Sequence, residues 1–98
     1  MFDLLTIVTI TPELRPLALE VASAHRESGR RVLYSLRQLS VKKQFSGAAA
    51  EGARWVLILG PNEVERGVAT LRDMSSGSET EVRLEELKRG GGLGGESD

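Results

Sequence analysis

An unbroken apolar run, Trp55-Val56-Leu57-Ile58-Leu59, is set between two glycines, with Arg54 the only charge from Gly52 to Gly60. It is too short to cross a membrane and suits a central strand covered on both faces. The residues before it place Val41, Phe45, Ala48 and Ala49 at spacings that make one apolar helical stripe. Ser40 is a good N-cap for that helix, and Glu51-Gly52 fits a glycine stop. A helix feeding directly into a buried strand is half of a parallel crossover unit, so an α/β fold is the expectation.

The flanking chain completes the pattern. Phe2 to Ile10 is rich in branched residues and predicts a first buried strand. Thr11-Pro12-Glu13 reads as a helix start, but Pro16 moves the regular helix toward its own position, leaving residues 11–15 as a turn. Leu14, Leu17, Ala18, Val21, Ala22 and His25 share one face of that helix, and Gly29 closes it. Arg31 to Leu36 predicts a second strand, followed by a polar connection through Arg37, Gln38 and Leu39. After the central run, Gly60-Pro61-Asn62-Glu63 is turn chemistry, with a helical turn over residues 62–65 that Gly67 breaks. Val68 to Asp73 and Glu79 to Leu84 alternate apolar with polar around Ser75-Ser76-Gly77-Ser78, a hairpin. A short helix over residues 84–88 ends the unit, and residues 90–98 are expected to be a glycine-rich disordered tail after a domain of residues 1–89. Two right-handed crossovers put the first strand between the second and third, with the hairpin extending the sheet beyond the third.

Chemistry has little to stand on. The chain has no cysteine, which excludes disulfides, thiolate metal sites and cysteine nucleophiles. His25, the one histidine, has no identifiable catalytic partner and reads as a packed structural residue. Neither glycine-rich stretch matches a phosphate-loop pattern, and no carboxylate cluster has metal-ligand spacing. No catalysis, metal or membrane contact is expected of this chain alone, and a reducing, cytoplasmic setting is the default. Charge is more informative. The net charge of −1 conceals a middle, residues 28–50, that holds Arg30, Arg31, Arg37, Lys42 and Lys43 and no acid, whereas acids outnumber cations after Pro61. Lys42 and Lys43 fall in the first turn of the second helix, where the dipole disfavours cations by about 0.3–1 kcal/mol. The same free N–H groups attract anions. Two lysines there suit phosphate better than stability, although they also serve as a solubilised exposed turn.

Ser40 to Phe45 (SVKKQF), then Gly52 to Gly60 (GARWVLILG) with Asn62-Glu63, then Gly67 to Asp73 (GVATLRD), resemble the C-terminal anticodon-binding domain of histidyl-tRNA synthetase. The wider family serves the class II synthetases for histidine, threonine, proline and glycine. The resemblance covers most of residues 2–89. It implies a three-layer α/β/α domain with a five-stranded mixed sheet, order 2-1-3-4-5, strand 4 antiparallel. It further implies that the partner is the anticodon stem-loop of a tRNA, gripped while a separate catalytic domain, in cis or in trans, charges it. ATP and magnesium would belong to that catalytic domain, and no cofactor to this chain. On the matching positions Arg37, Gln38, Lys42 and Lys43 would meet phosphates or bases. Gln44 would offer a donor and an acceptor to a base edge. Asn62, Glu63 and Arg72 would approach the same rim. Two departures stand out: Ser46-Gly47 replaces a charged and a large residue, and Tyr34-Ser35 lacks an acid often found in strand 2. The expectation is therefore an excised or free-standing RNA-binding domain. The rival is a protein-interaction module that keeps the fold without RNA.

Overall fold

The computed structural model describes residues 4–34 and 40–93. Strand β1 (Leu4–Thr9) leads through a 3-10 helix (Pro12–Leu14) into α1 (Arg15–Glu27), then β2 (Arg31–Tyr34). Helix α2 (Val41–Ala50) precedes β3 (Trp55–Leu59), and a single-turn helix α3 (Pro61–Glu65) follows it. The hairpin β4 (Val68–Asp73) and β5 (Glu79–Arg83) ends in α4 (Leu84–Lys88). The sheet order is β2-β1-β3-β4-β5, with β1 parallel to β2 and β3 and with β4 antiparallel to both neighbours. Order, strand directions and the α/β class agree with the sequence reading. Pro16 is accommodated in the first turn of α1, where its missing N–H costs no helical bond.

Alternation along the central strands builds two cores. Leu5, Ile7, Trp55, Leu57 and Leu59 pack with α1 and α4 in the larger one. Leu4, Val8 and Val56 point the other way, toward Ala48 and Ala53, in the smaller one. Helix α2 alone covers this second face and lies over β1, so the sheet on either side of it is less covered. The helix is turned from the expected stripe: Ala49 is exposed, and Gln44 joins Ala48 on the buried side. Arg54 remains at the surface with its guanidinium 4.5 Å from the centre of the buried Trp55 ring, and Arg30 lies 5.3 Å from it.

Two further features correct or sharpen the reading. Gly90 to Leu93 are part of the folded unit: Leu93 is buried in the larger core beside Leu87. Gly90, at φ +86°, leaves no room for a Cβ, which would come 2.9 Å from the Ala24 carbonyl oxygen. Glycine content there serves close packing on α1 rather than disorder, while residues 94–98 lie outside the described ones. His25 is fully buried, its Nδ1 3.1 Å from Nη1 of Arg30, so Nδ1 accepts and the ring is neutral with its proton on Nε2. Nε2 has no hydrogen-bonded partner, the Leu87 carbonyl being near but outside bonding geometry. Burial first, and the Arg30 charge second, hold the imidazole pKa below its ordinary value, against a smaller opposing pull from Leu87.

Candidate nucleic-acid interface

Three strands deliver their C-terminal ends to one edge of the sheet, and the connections that follow them are the candidate site. β1 ends at Thr9, β2 at Tyr34 and β3 at Leu59. The α2 N-terminus and all of α3 sit on that edge, the side on which open α/β sheets bind ligands. Ser40 caps α2 as expected: its Oγ accepts from the Lys43 N–H at 3.2 Å. Lys42 and Lys43 are both exposed in that first turn, and neither has an ion pair among the described residues. With no acid in the turn to offset them, they add positive charge to the positive end of the helix. Asn62 is exposed at the start of α3 on the same edge. Glu63 folds back over Gly60, the N-cap, where a Cβ would collide with its Oε1. A carboxylate at the start of a helix is electrostatically well placed, so Glu63 serves α3 itself.

Two expected contacts are not at this edge. Gln44 was assigned a base edge, but it is 8% exposed and its amide is used internally. The Thr9 N–H donates to Gln44 Oε1 at 3.1 Å, and Gln44 Nε2 donates to the Thr9 carbonyl at 3.0 Å. Arg72 was placed near Asn62, yet it pairs in register with Val56, toward the opposite end of the antiparallel β4. That is about 13 Å along the strand from Gly60. Its Nη1 is 3.2 Å from Glu79 Oε2, a cross-strand ion pair on an exposed surface. Arg66 and Glu81 make a second such pair at 2.8 Å. Arg37 and Gln38 lie outside the described residues. The edge thus brings Lys42, Lys43 and Asn62 together as accessible polar groups. Beside Lys43, a groove between α2 and β2 is lined by Thr6, Leu33, Gly47 and Glu51, which composition and motif did not single out. Residue type alone does not tell whether a strand hydroxyl such as that of Thr6 finds a partner.

Among the described residues no group of His, Asp or Glu is placed to hold a metal ion, and no helix is long and apolar enough to cross a membrane.

The comparisons with known proteins agree with this architecture. A family model described as "Anticodon binding domain" matches residues 5–90. A histidine–tRNA ligase from Methanoculleus marisnigri is 46% identical over 79 residues, covering 81% of this chain and 19% of the ligase. The Pyrococcus furiosus ligase is 32% identical over 81 residues, again 19% of its length. The chain therefore spans about a fifth of these relatives. Among solved structures, histidyl-tRNA synthetase from Nostoc sp. PCC 7120 superposes with a TM-score of 0.77 at 29% identity, over 89% of this chain and 21% of that one. The apo S. aureus histidyl-tRNA synthetase gives 0.81 at 24% identity, over 89% and 25%, a likeness of fold. The chain belongs to the anticodon-binding-domain family and is similar, within it, to the domain of histidine–tRNA ligases.

Proposed function

We propose that this domain binds the anticodon stem-loop of a tRNA, as a piece of a histidine–tRNA ligase or as a free-standing relative of it. The observation that carries this reading is the pair Lys42 and Lys43, exposed at the α2 N-terminus on the ligand-binding edge of a sheet of this family. Their ammonium groups and the unbonded N–H groups of the first turn suit RNA phosphates. Asn62 supplies an accessible amide on the same edge, and Arg37 and Gln38 remain proposed contacts on the connection leading to it. Gln44 supports this edge from beneath. Catalysis, with ATP and magnesium, would belong to a separate catalytic domain, the second proposed partner, and the setting proposed is the cytoplasm.

The test is direct. A fluorescently labelled stem-loop carrying the histidine anticodon is titrated with the domain, beside a stem of the same sequence closed by an unrelated loop. Saturable binding to the first, several-fold tighter than to the second, is expected. Equal or undetectable binding to both would reject the reading in favour of an interaction module without RNA.

A further inference from the structure

The groove between α2 and β2 is an unusual hollow in an otherwise well-packed domain. Its volume is about 240 Å³, below the range for drug-sized ligands and suited to one flat ring. Its floor contains Thr6, 8% exposed, whose Oγ1 has no hydrogen-bond partner. A buried hydroxyl without a partner is costly, and such groups call for an explanation. Its wall contains Gly47, in the interior of α2, where a Cβ would have nothing within 4 Å. Glycine there lowers helix stability by about 0.5–1 kcal/mol and serves no close approach, so its effect is to leave the hollow open. Leu33, beside Thr6 in register and 42% exposed, gives an apolar surface for a ring to lie against.

The two ends differ in charge. Lys43, Gly47 and Glu51 follow one another at four-residue spacing along the α2 face, so that Lys43 and Glu51 are about 12 Å apart. Both are exposed and line the groove, and neither has an ion pair among the described residues. A cation at one end, an apolar middle with a hidden hydroxyl, and a carboxylate at the other match a nucleotide with its phosphate outward. Glu51 further restricts the base. A carboxylate accepts two hydrogen bonds side by side, and only guanine presents two adjacent donors, N1–H and the 2-amino group, on its Watson–Crick edge.

We infer that this groove is a site for a single unstacked guanine, with Thr6 and Glu51 as the residues that select it and Lys43 on the adjoining phosphate. The inference deepens the RNA-binding reading and rests on it for the source of the base, an RNA loop; a free guanine mononucleotide shares the same chemistry.

Stem-loops that differ only in having guanine or adenine at one loop position, and GMP, AMP and inorganic phosphate, are titrated into the 98-residue chain and its variants. Binding is followed by fluorescence and by amide NMR shifts. The wild-type domain is expected to prefer the guanine loop by about tenfold. Glu51→Gln should erase most of that preference. Gly47→Leu, which fills the hollow while favouring the helix, should weaken guanine-loop binding. Thr6→Val should stabilise the fold by removing an unpaired hydroxyl, yet weaken guanine binding, opposite signs that a purely structural role would not give. GMP shifts at Thr6, Gly47 and Glu51 without any stem-loop binding would uphold the guanine site and overturn the RNA reading. Salt-dependent stem-loop binding that ignores Gly47→Leu and Glu51→Gln would overturn the guanine site and leave RNA binding standing. Shifts with inorganic phosphate equal to those with GMP would also overturn it.

Discussion

The side-chain amide of Gln44 completes the sheet at Thr9. In the parallel pairing of β1 with β3, Ile10 donates to the Leu59 carbonyl at 3.0 Å, which turns the Thr9 N–H and carbonyl toward the β2 side. β2, however, ends at Tyr34, opposite Ile7. Gln44 supplies one acceptor and one donor to Thr9, at 3.1 and 3.0 Å, as a further strand residue would have done. The start of α2, and with it Lys42 and Lys43, is thereby fixed to the end of the central strand.

Gln44→Ala is therefore expected to destabilise the domain by about 1–3 kcal/mol, since it leaves two backbone groups without their partner. Gln44→Glu keeps the acceptor but sets a carboxylate against the Thr9 carbonyl and should be no milder. Urea unfolding measures both. A loss within about 0.5 kcal/mol for Gln44→Ala would mean that water replaces the amide without cost.

Leu57 has no exposed surface and lies at the centre of β3. Leu57→Ala should cost about 2–5 kcal/mol through transfer and cavity terms. A denaturant titration showing less than about 1 kcal/mol would contradict the central position of this strand.

His25 makes stability depend on pH. Its folded pKa lies below the ordinary value of 6.5, through burial and the charge of Arg30. Below the unfolded pKa the unfolded chain therefore binds the proton more readily, so stability is complete above about pH 6.5 and falls as pH drops toward the folded value. His25→Leu should remove this slope between about pH 6.5 and 5, above the main carboxylate range. Thermal unfolding across that window checks it, and an unchanged slope in the variant would assign the effect elsewhere.

Leu93 closes the larger core after three glycines. Leu93→Ala should cost about 2 kcal/mol or more, and the Leu93 amide should show hydrogen-exchange protection beyond that of a free tail. Random-coil exchange at Leu93 would restore the disordered tail expected from composition.

The elements were legible because local signals agreed with one another. Ser40 and Gly52 bounded α2, the apolar run marked β3, and Ser75 to Ser78 marked the hairpin turn. What escaped was decided by tertiary packing. Gln44 lies on the core face of α2, three residues from Val41 and four from Ala48, a spacing that could have flagged it; residue type suggested a free amide instead. The antiparallel direction of β4 carries Arg72 away from the edge where β4 begins, which pattern matching to a motif does not resolve. The docking of Leu93 depends on the space that Gly90 and Gly92 leave against α1 and α4, and no composition rule distinguishes such glycines from a linker.

The central claim is that Lys42 and Lys43 hold RNA. With about three phosphate contacts, the slope of log affinity against log salt for the anticodon stem-loop should be near −2 to −3. The double variant Lys42→Ala/Lys43→Ala should bind more weakly and flatten the slope by about one to two units. It should fold at least as stably as the wild type, because two cations leave a helix N-terminus. Affinity and salt slope both unchanged in a folded double variant would show that the two lysines only solubilise the turn, and would contradict the account.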